Sequence, residues 1–191
     1  TDLLHTSKIK SIEISRDLIS SPRQVVSAWG EVGINPRDHI EKIYAQAGEA
    51  LLILGEPGIG KTTLLLELTS SLLTKYKRTP NNPLPVVINL SNWHRSYSNL
   101  SIWLAEEINK LYKIPKDTAL AWLKQGRLSL VLDGLDEVPS TSREILVQSI
   151  NVFTSSQSMQ KIGIAITYRF KAYNNLKSKL QVNAAVFLKR L

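Results

Sequence analysis

The stretch that most restricts the fold of this chain is residues 55–62, which read GEPGIGKT and fit the pattern G-x-x-x-x-G-K-[ST]. It follows an apolar run at residues 50–54 and precedes a segment with apolar residues at helical spacing, so it joins a buried strand to a helix. Glycines let the main chain curl so that successive N–H groups face inward and bind an anion, and the helix adds the positive end of its dipole. The sequence therefore predicts a phosphate-binding loop between a strand and a helix.

Individual residues of this loop have expected contacts. Lys61 should reach the β- and γ-phosphates of a nucleoside triphosphate, and the Thr62 hydroxyl should bind Mg²⁺. The alternative interpretation is an ordinary glycine turn before a helix, but the strand before the loop and the helix after it favour phosphate binding. The residues expected to contact the nucleotide are Gly55, Glu56, Pro57, Gly58, Ile59, Gly60, Lys61, Thr62 and Thr63.

Further apolar runs alternate with segments of helical periodicity along the chain. Continuous apolar strands that alternate with helices favour a parallel sheet covered on both faces, which is a three-layer α/β/α fold. Trp103 and Trp122, on two of the helices, are expected to anchor the core. The expected strands are residues 50–54, 85–90, 128–132, 162–167 and 184–188, and the expected helices begin after Pro36 and cover residues 60–76, 99–112, 116–125 and 140–153.

Acidic side chains follow the third expected strand, at the sheet edge where ligands of open parallel sheets bind. Asp133 ends the strand and is expected to hold Mg²⁺ through water, from the side opposite Thr62. Asp136 is the first candidate for the group that orients the attacking water, and Glu137 is the second. The alternative is that Asp136 and Glu137 simply begin the next helix, where acids interact favourably with the helix dipole.

The fourth expected strand ends in the sequence ITYR. If this strand lies between the first and the third, the side chains of Thr167 and Arg169 reach towards the γ-phosphate. Arg169 would then sense that phosphate or stabilise charge during its transfer. The alternative is a surface arginine at the end of a strand.

Composition restricts the partners and the compartment. The formal net charge is +8, and residues 161–191 carry seven basic side chains and no acid. This excess of positive charge would suit nucleic acid or an acidic partner. However, the lysines are spread out and few aromatic residues lie between them, which favours a solvated surface or one that another domain covers. The chain has no cysteine, so it has no disulfide or cysteine-based zinc site. No apolar run approaches the roughly 18 residues of a membrane span, and we expect a cytoplasmic protein without a membrane partner.

Four stretches together resemble the NACHT domains of the STAND class of P-loop NTPases. They are LLILGEPGIGKTTLLLEL, PVVINLSNW, LVLDGLDEV and AITYR, and the DGLDE form of the acidic motif is the most telling. The resemblance runs from about Pro22 to Leu191, which leaves residues 1–21 as an N-terminal leader or linker. It implies a mostly parallel five-stranded sheet in the order 5-1-4-3-2, with the Arg169 strand beside the strand of the phosphate loop.

The resemblance also implies an activity and a context. It implies binding of ATP or GTP with Mg²⁺, with ATP favoured, and slow hydrolysis that resets a signalling switch. It implies homo-oligomerisation in the triphosphate state and an NTPase core excised from a longer multidomain protein. Family members usually carry Ser or Thr directly before the strand-end arginine, whereas here Tyr168 fills that position and Thr167 lies one residue earlier.

Two other functions remain open at this stage. A nucleic-acid-directed P-loop ATPase, of the helicase-loader or transposition-regulator type, ranks second because no helix-turn-helix or stacking platform is recognisable. A module that binds phosphate without hydrolysis is the other, and Asp136 and Glu137 argue against it. The residues that contact the base are expected within residues 32–37.

Overall fold

The computed structural model describes residues 10–15, 24–26, 39–97, 99–157, 159 and 161–189. Their strands are β1 (Lys10–Ser15), β2 (Gln24–Val26), β3 (Ala50–Gly55), β4 (Leu84–Asn89), β5 (Leu128–Asp133), β6 (Gly163–Arg169) and β7 (Ala184–Lys189). Their α-helices are α1 (Ile40–Gln46), α2 (Lys61–Arg78), α3 (Leu100–Tyr112), α4 (Lys116–Lys124), α5 (Ser140–Ser155) and α6 (Phe170–Asn174). Short 3₁₀ turns, Leu90–Asn92 and Leu135–Glu137, follow β4 and β5.

The described strands form one sheet in the order β2-β1-β7-β3-β6-β5-β4. Strands β3 to β7 all run parallel. Numbered from β3, their order is 5-1-4-3-2, which confirms the predicted fold. Beyond β7 the sheet continues with β1, which is parallel to β7, and with β2, which is antiparallel to β1.

Strands β1 and β2 are not predicted from the sequence pattern. The first of them lies within the stretch assigned as a leader or linker, and its apolar residues are only Ile12 and Ile14. An alternation this short does not distinguish a strand from a loop, and β1 is recognised by its pairing with β2 and β7. The division of the chain at residues 21 and 22 remains a prediction.

Helices cover both faces of the sheet. Leu51 and Ile53 of β3 pack with α1 and α2 on one face, whereas Leu52 and Leu54 pack with α3, α4 and α5 on the other. Because successive residues of a strand point to opposite faces, both sets are buried. This arrangement explains why the strands read as continuous apolar runs.

The helices agree with the sequence pattern, apart from the short α6, which it does not predict. Trp103 is fully buried, as expected of a core anchor, whereas Trp122 is half-buried and packs against the guanidinium of Arg127. The expected base-contacting residues 32–37 lie outside the described part of the chain. None of the described helices is long and apolar enough to cross a membrane.

The parallel strands end at one edge of the sheet and collect polar residues there. Gly55, at the end of β3, pairs in register with Arg169, at the end of β6. Asn89, at the end of β4, pairs with Asp133, at the end of β5. Residues distant in sequence therefore meet at the edge where this class of sheet binds its ligands.

Candidate functional site

The loop after β3 is shaped by its glycines. A Cβ atom on Gly55 would lie 2.6 Å from Ile59 Cγ2 and 3.1 Å from Leu188 Cβ, so only glycine allows the loop to fold back over the strand end. Gly58 and Gly60 have φ angles of +73° and +94°, in the left-handed region that other residues rarely adopt. Gly58 is exposed to solvent, so the curled main chain is accessible to a ligand.

Lys61 closes this loop from the first position of α2. Its Nζ donates hydrogen bonds to the carbonyl oxygens of Gly55 and Glu56, each at 3.0 Å. Burial lowers the pKa of the Lys61 ammonium, the Asp136 carboxylate opposes this shift, and the Arg169 guanidinium adds to it. Lys61, Asp136 and Arg169 therefore lie close enough for their charges to interact.

Asp133 is held by two hydroxyl groups. Thr62 Oγ1 donates to Asp133 Oδ2 at 3.0 Å, and Thr167 Oγ1 donates to Asp133 Oδ1. The Thr167 oxygen also accepts a hydrogen bond of 2.9 Å from the main-chain N–H of Gly134. Both carboxylate oxygens are thus oriented, one by the helix that follows the loop and the other by β6.

The pair of Thr62 and Asp133 has the donor chemistry that Mg²⁺ prefers. One hydroxyl oxygen and one carboxylate oxygen lie side by side, and Mg²⁺ favours oxygen ligands and usually keeps several waters and phosphate oxygens in its shell. Within the described ranges, no group of three or more His, Cys, Asp or Glu side chains could hold a metal ion. A site at Thr62 and Asp133 would therefore require ligands from phosphate or water in addition.

The acidic residues after β5 form a 3₁₀ turn of their own. This turn ends at Glu137, and α5 begins only at Ser140, so the two acids do not form the start of the next helix. Asp136 Oδ2 lies 3.3 Å from Nε of Arg169, with 11% of the aspartate side chain and 47% of the arginine side chain exposed. The arginine predicted to face the γ-phosphate is therefore ion-paired with the acid predicted to orient water.

Glu137 occupies a different position on the turn. Its side chain is exposed, and its Oε2 accepts a hydrogen bond of 3.5 Å from Nδ2 of Asn89, at the end of β4. A Cβ atom on Gly134 would lie 3.0 Å from the Glu137 carboxylate, and Gly134 has a φ angle of +78°. Glycine at position 134 thus leaves room for the Glu137 side chain.

At the end of β6, the hydroxyl contact with Asp133 is made by Thr167 and not by Tyr168, the residue directly before Arg169. The Tyr168 ring is buried, and its hydroxyl donates a hydrogen bond of 3.4 Å to the carbonyl oxygen of Ala172. Alternation along β6 accounts for the difference, because Thr167 and Arg169 share one side of the strand while Tyr168 points to the other.

Two residues at this site are absent from the sequence predictions. Asn89 could have been identified, because it is a polar residue directly after an apolar run, as Asp133 is. Arg143 could not, because it lies in the amphipathic helix α5 without any motif around it. Its Nη2 donates hydrogen bonds of 2.7 Å and 2.8 Å to the carbonyl oxygens of Asp136 and Val138.

The chain is similar to a known protein family over most of its length. A family model described as "NACHT domain" matches residues 23–190 of the chain. No curated protein matches it. The matched range includes the glycine loop, the acidic turn and the end of β6.

Proposed function

This chain belongs to the NACHT family of P-loop nucleoside triphosphatases, and from that premise we propose that it is the nucleotide-operated switch of a signalling protein. It binds Mg-ATP or Mg-GTP, with ATP preferred, and hydrolyses it slowly. The observation that carries this proposal is the junction of the glycine loop with Asp133, where Thr62 Oγ1 lies 3.0 Å from the carboxylate.

Phosphate binding is assigned to the loop and to the first turn of α2. The first N–H groups of a helix have no partner within it and suit an anion. The Lys61 ammonium, which bonds two main-chain carbonyls, would contact the β- and γ-phosphates instead. That exchange is favourable because hydrogen bonds to a charged oxygen are stronger than those to a neutral carbonyl.

Metal binding is assigned to Thr62 and Asp133. The bound Mg²⁺ would supply neutralisation of the phosphate charge. Thr167 supports this assignment, because its hydroxyl orients the carboxylate of Asp133 from the side of β6. The metal ligands are thus kept in position by strand β6 as well as by the loop.

Slow turnover is supported by the pairing at the acidic turn. Asp136 is the residue proposed to orient water, and its Oδ2 is engaged by Arg169. While this ion pair is closed, Arg169 competes with water for that oxygen. Arg169 is the group proposed to contact the γ-phosphate, so the triphosphate itself would compete for the arginine.

A switch requires two states that a ligand distinguishes, and the contacts of Arg169 provide a basis for them. In one state the arginine is bound to Asp136, and in the other it is bound to phosphate. We further propose that the triphosphate state favours homo-oligomerisation of a larger cytoplasmic protein, a proposal that family membership supports.

The proposal is tested by calorimetric titration with Mg-ATP and with Mg-GTP. The proteins compared are the wild type, Lys61→Ala and Lys77→Ala. Loss of the Lys61 contact should weaken binding about 10- to 100-fold, since hydrogen bonds to charged groups contribute about 1.5–3 kcal/mol. Lys77 lies in the last turn of the same helix, so its variant should bind as the wild type does. Equal affinity of the wild type and Lys61→Ala for both nucleotides, or no binding by the wild type, would refute the proposal.

A further inference from the structure

Arg143 makes a contact with the acidic turn that the family match does not explain. It lies in the first turns of α5, and a single nitrogen of its guanidinium bridges two main-chain carbonyls. Nη2 donates to Asp136 O at 2.7 Å and to Val138 O at 2.8 Å. Because these carbonyls flank Glu137, the side chain fixes the path of the main chain through both acids of the turn.

The same side chain also packs against β6. Its guanidinium carbon lies 5.9 Å from the ring centroid of Tyr168, the residue directly before Arg169. Arg143 therefore connects the acidic turn to the strand that carries the second arginine. Tyr168 is fully buried, so this side of the contact is shielded from solvent.

The Nε–H group of Arg143 is buried without a hydrogen-bond partner among the described residues. An unpaired buried donor costs stability. The position of the guanidinium is determined by its two hydrogen bonds to the turn.

Asp136 is consequently held by two arginines at opposite ends. Arg169 engages its carboxylate, and Arg143 engages its main-chain carbonyl. We propose that Arg143 is a positioning residue of the nucleotide site, which fixes the main chain of the acidic turn so that the Asp136 carboxylate stays where water must be oriented. This inference rests on the proposed function, since it assigns a support to the same site.

Three variants test the assignment. Arg143→Met keeps an unbranched apolar stem but removes the donors, and Arg143→Lys keeps a charged donor without the planar fork. Arg127→Met is the matched control, because the guanidinium of Arg127 packs over the Trp122 ring at 5.6 Å but bonds no residue of the acidic turn.

Hydrogen exchange in the absence of nucleotide gives a readout that does not depend on hydrolysis. The N–H of Glu137 donates to Gly134 O at 2.9 Å within the turn, so its exchange reports on the turn. Arg143→Met should speed exchange of residues 134–138 at least tenfold and leave the exchange rates of β4 unchanged. The exchange rate of the turn in Arg143→Lys should lie between those of Arg143→Met and the wild type. Arg127→Met should exchange in the turn as the wild type does. Unchanged exchange in the turn of Arg143→Met, or faster exchange throughout the chain, would overturn the proposal.

Single-turnover hydrolysis supplies the second readout. Arg143→Met should slow the step about tenfold with Mg-ATP affinity within threefold of the wild type, and Arg143→Lys should recover part of the rate. In an Asp136→Asn background the Arg143→Met substitution should have no further effect, because it acts through Asp136. If Arg143→Met slowed hydrolysis by the same factor in the wild type and in the Asp136→Asn background, the assignment would be overturned. A wild type that binds no nucleotide would refute the proposed function, while the exchange result would still decide whether Arg143 holds the turn.

Discussion

Arg169 and Asp136 form an ion pair in which Nε lies 3.3 Å from Oδ2, with nearly half of the arginine side chain exposed to solvent. Only 11% of the Asp136 side chain is exposed, so the arginine is the partner that solvent and a ligand can reach. Under the proposed function, a phosphate group can therefore compete with the carboxylate for the guanidinium. Under the proposed function, the pair opens and closes with the nucleotide state.

Replacement of Arg169 by Met should reduce discrimination between triphosphate and diphosphate. If the guanidinium contacts the γ-phosphate, its loss removes a charge-assisted contact that ADP does not make, and the ratio of Mg-ADP to Mg-ATP dissociation constants should fall about tenfold or more. Calorimetry with both nucleotides measures this ratio. Arg78→Met, in the last turn of α2, serves as the control. An unchanged ratio in Arg169→Met would show that the arginine does not read the γ-phosphate.

Asp133 and Asp136 should respond differently to conversion to Asn. Asp133→Asn places an amide among hydroxyl donors and removes a charged metal ligand, so Mg²⁺-dependent nucleotide binding should weaken at least tenfold. Asp136→Asn should leave binding unchanged and slow single-turnover hydrolysis about 10²-fold or more. Asp117→Asn, an exposed residue of α4, should change neither quantity. An unaltered rate in Asp136→Asn would move the role to Glu137 or to a partner.

Basal hydrolysis by this chain should be slow, well below the roughly 1–100 s⁻¹ typical of kinases. Single- or double-stranded DNA should not stimulate it substantially at physiological salt, because contacts made by dispersed lysines are nonspecific and salt-sensitive. Steady-state assays with and without DNA, at two salt concentrations, measure this. Strong stimulation that survives high salt would favour a nucleic-acid-directed ATPase over the switch.

Gly163→Ala should destabilise the fold by about 1–3 kcal/mol, the usual range for overpacking. A Cβ atom there would overlap the Tyr44 hydroxyl and lie 2.8 Å from Ser129 Oγ, in the buried end of β6. Denaturant unfolding measures the loss. Tyr44→Phe removes the overlapping oxygen, so the double variant should recover part of the stability that Gly163→Ala loses. Additive losses would indicate that the overlap is not the cause.

The positions of those candidate site residues that depend on local pattern could be predicted from the sequence, and their roles remain predictions. The glycine loop, Lys61 and Thr62 follow from one motif, and Asp133 follows from its position at the end of an apolar strand. The ion pair of Asp136 with Arg169 depends on which strands are neighbours and on side-chain conformation, and neither has a local signature. Arg143 illustrates the same limit, since a half-buried arginine in an amphipathic helix resembles any other surface cation until α5 is packed against the turn.

Because Asp133 accepts hydrogen bonds from both Thr62 and Thr167, its contacts are completed late in synthesis. Thr62 precedes Asp133 by 71 residues, and Thr167 follows it by 34. Strand β6 lies between β3 and β5 in the sheet, so the loop strand and the Asp133 strand are joined only by a strand translated after both. A nascent chain that already displays the complete glycine loop therefore still lacks the Thr167 contact of the proposed metal site. If nucleotide binding requires that site, as proposed, nucleotide stabilises the fold by mass action after β6 has left the ribosome and inserted.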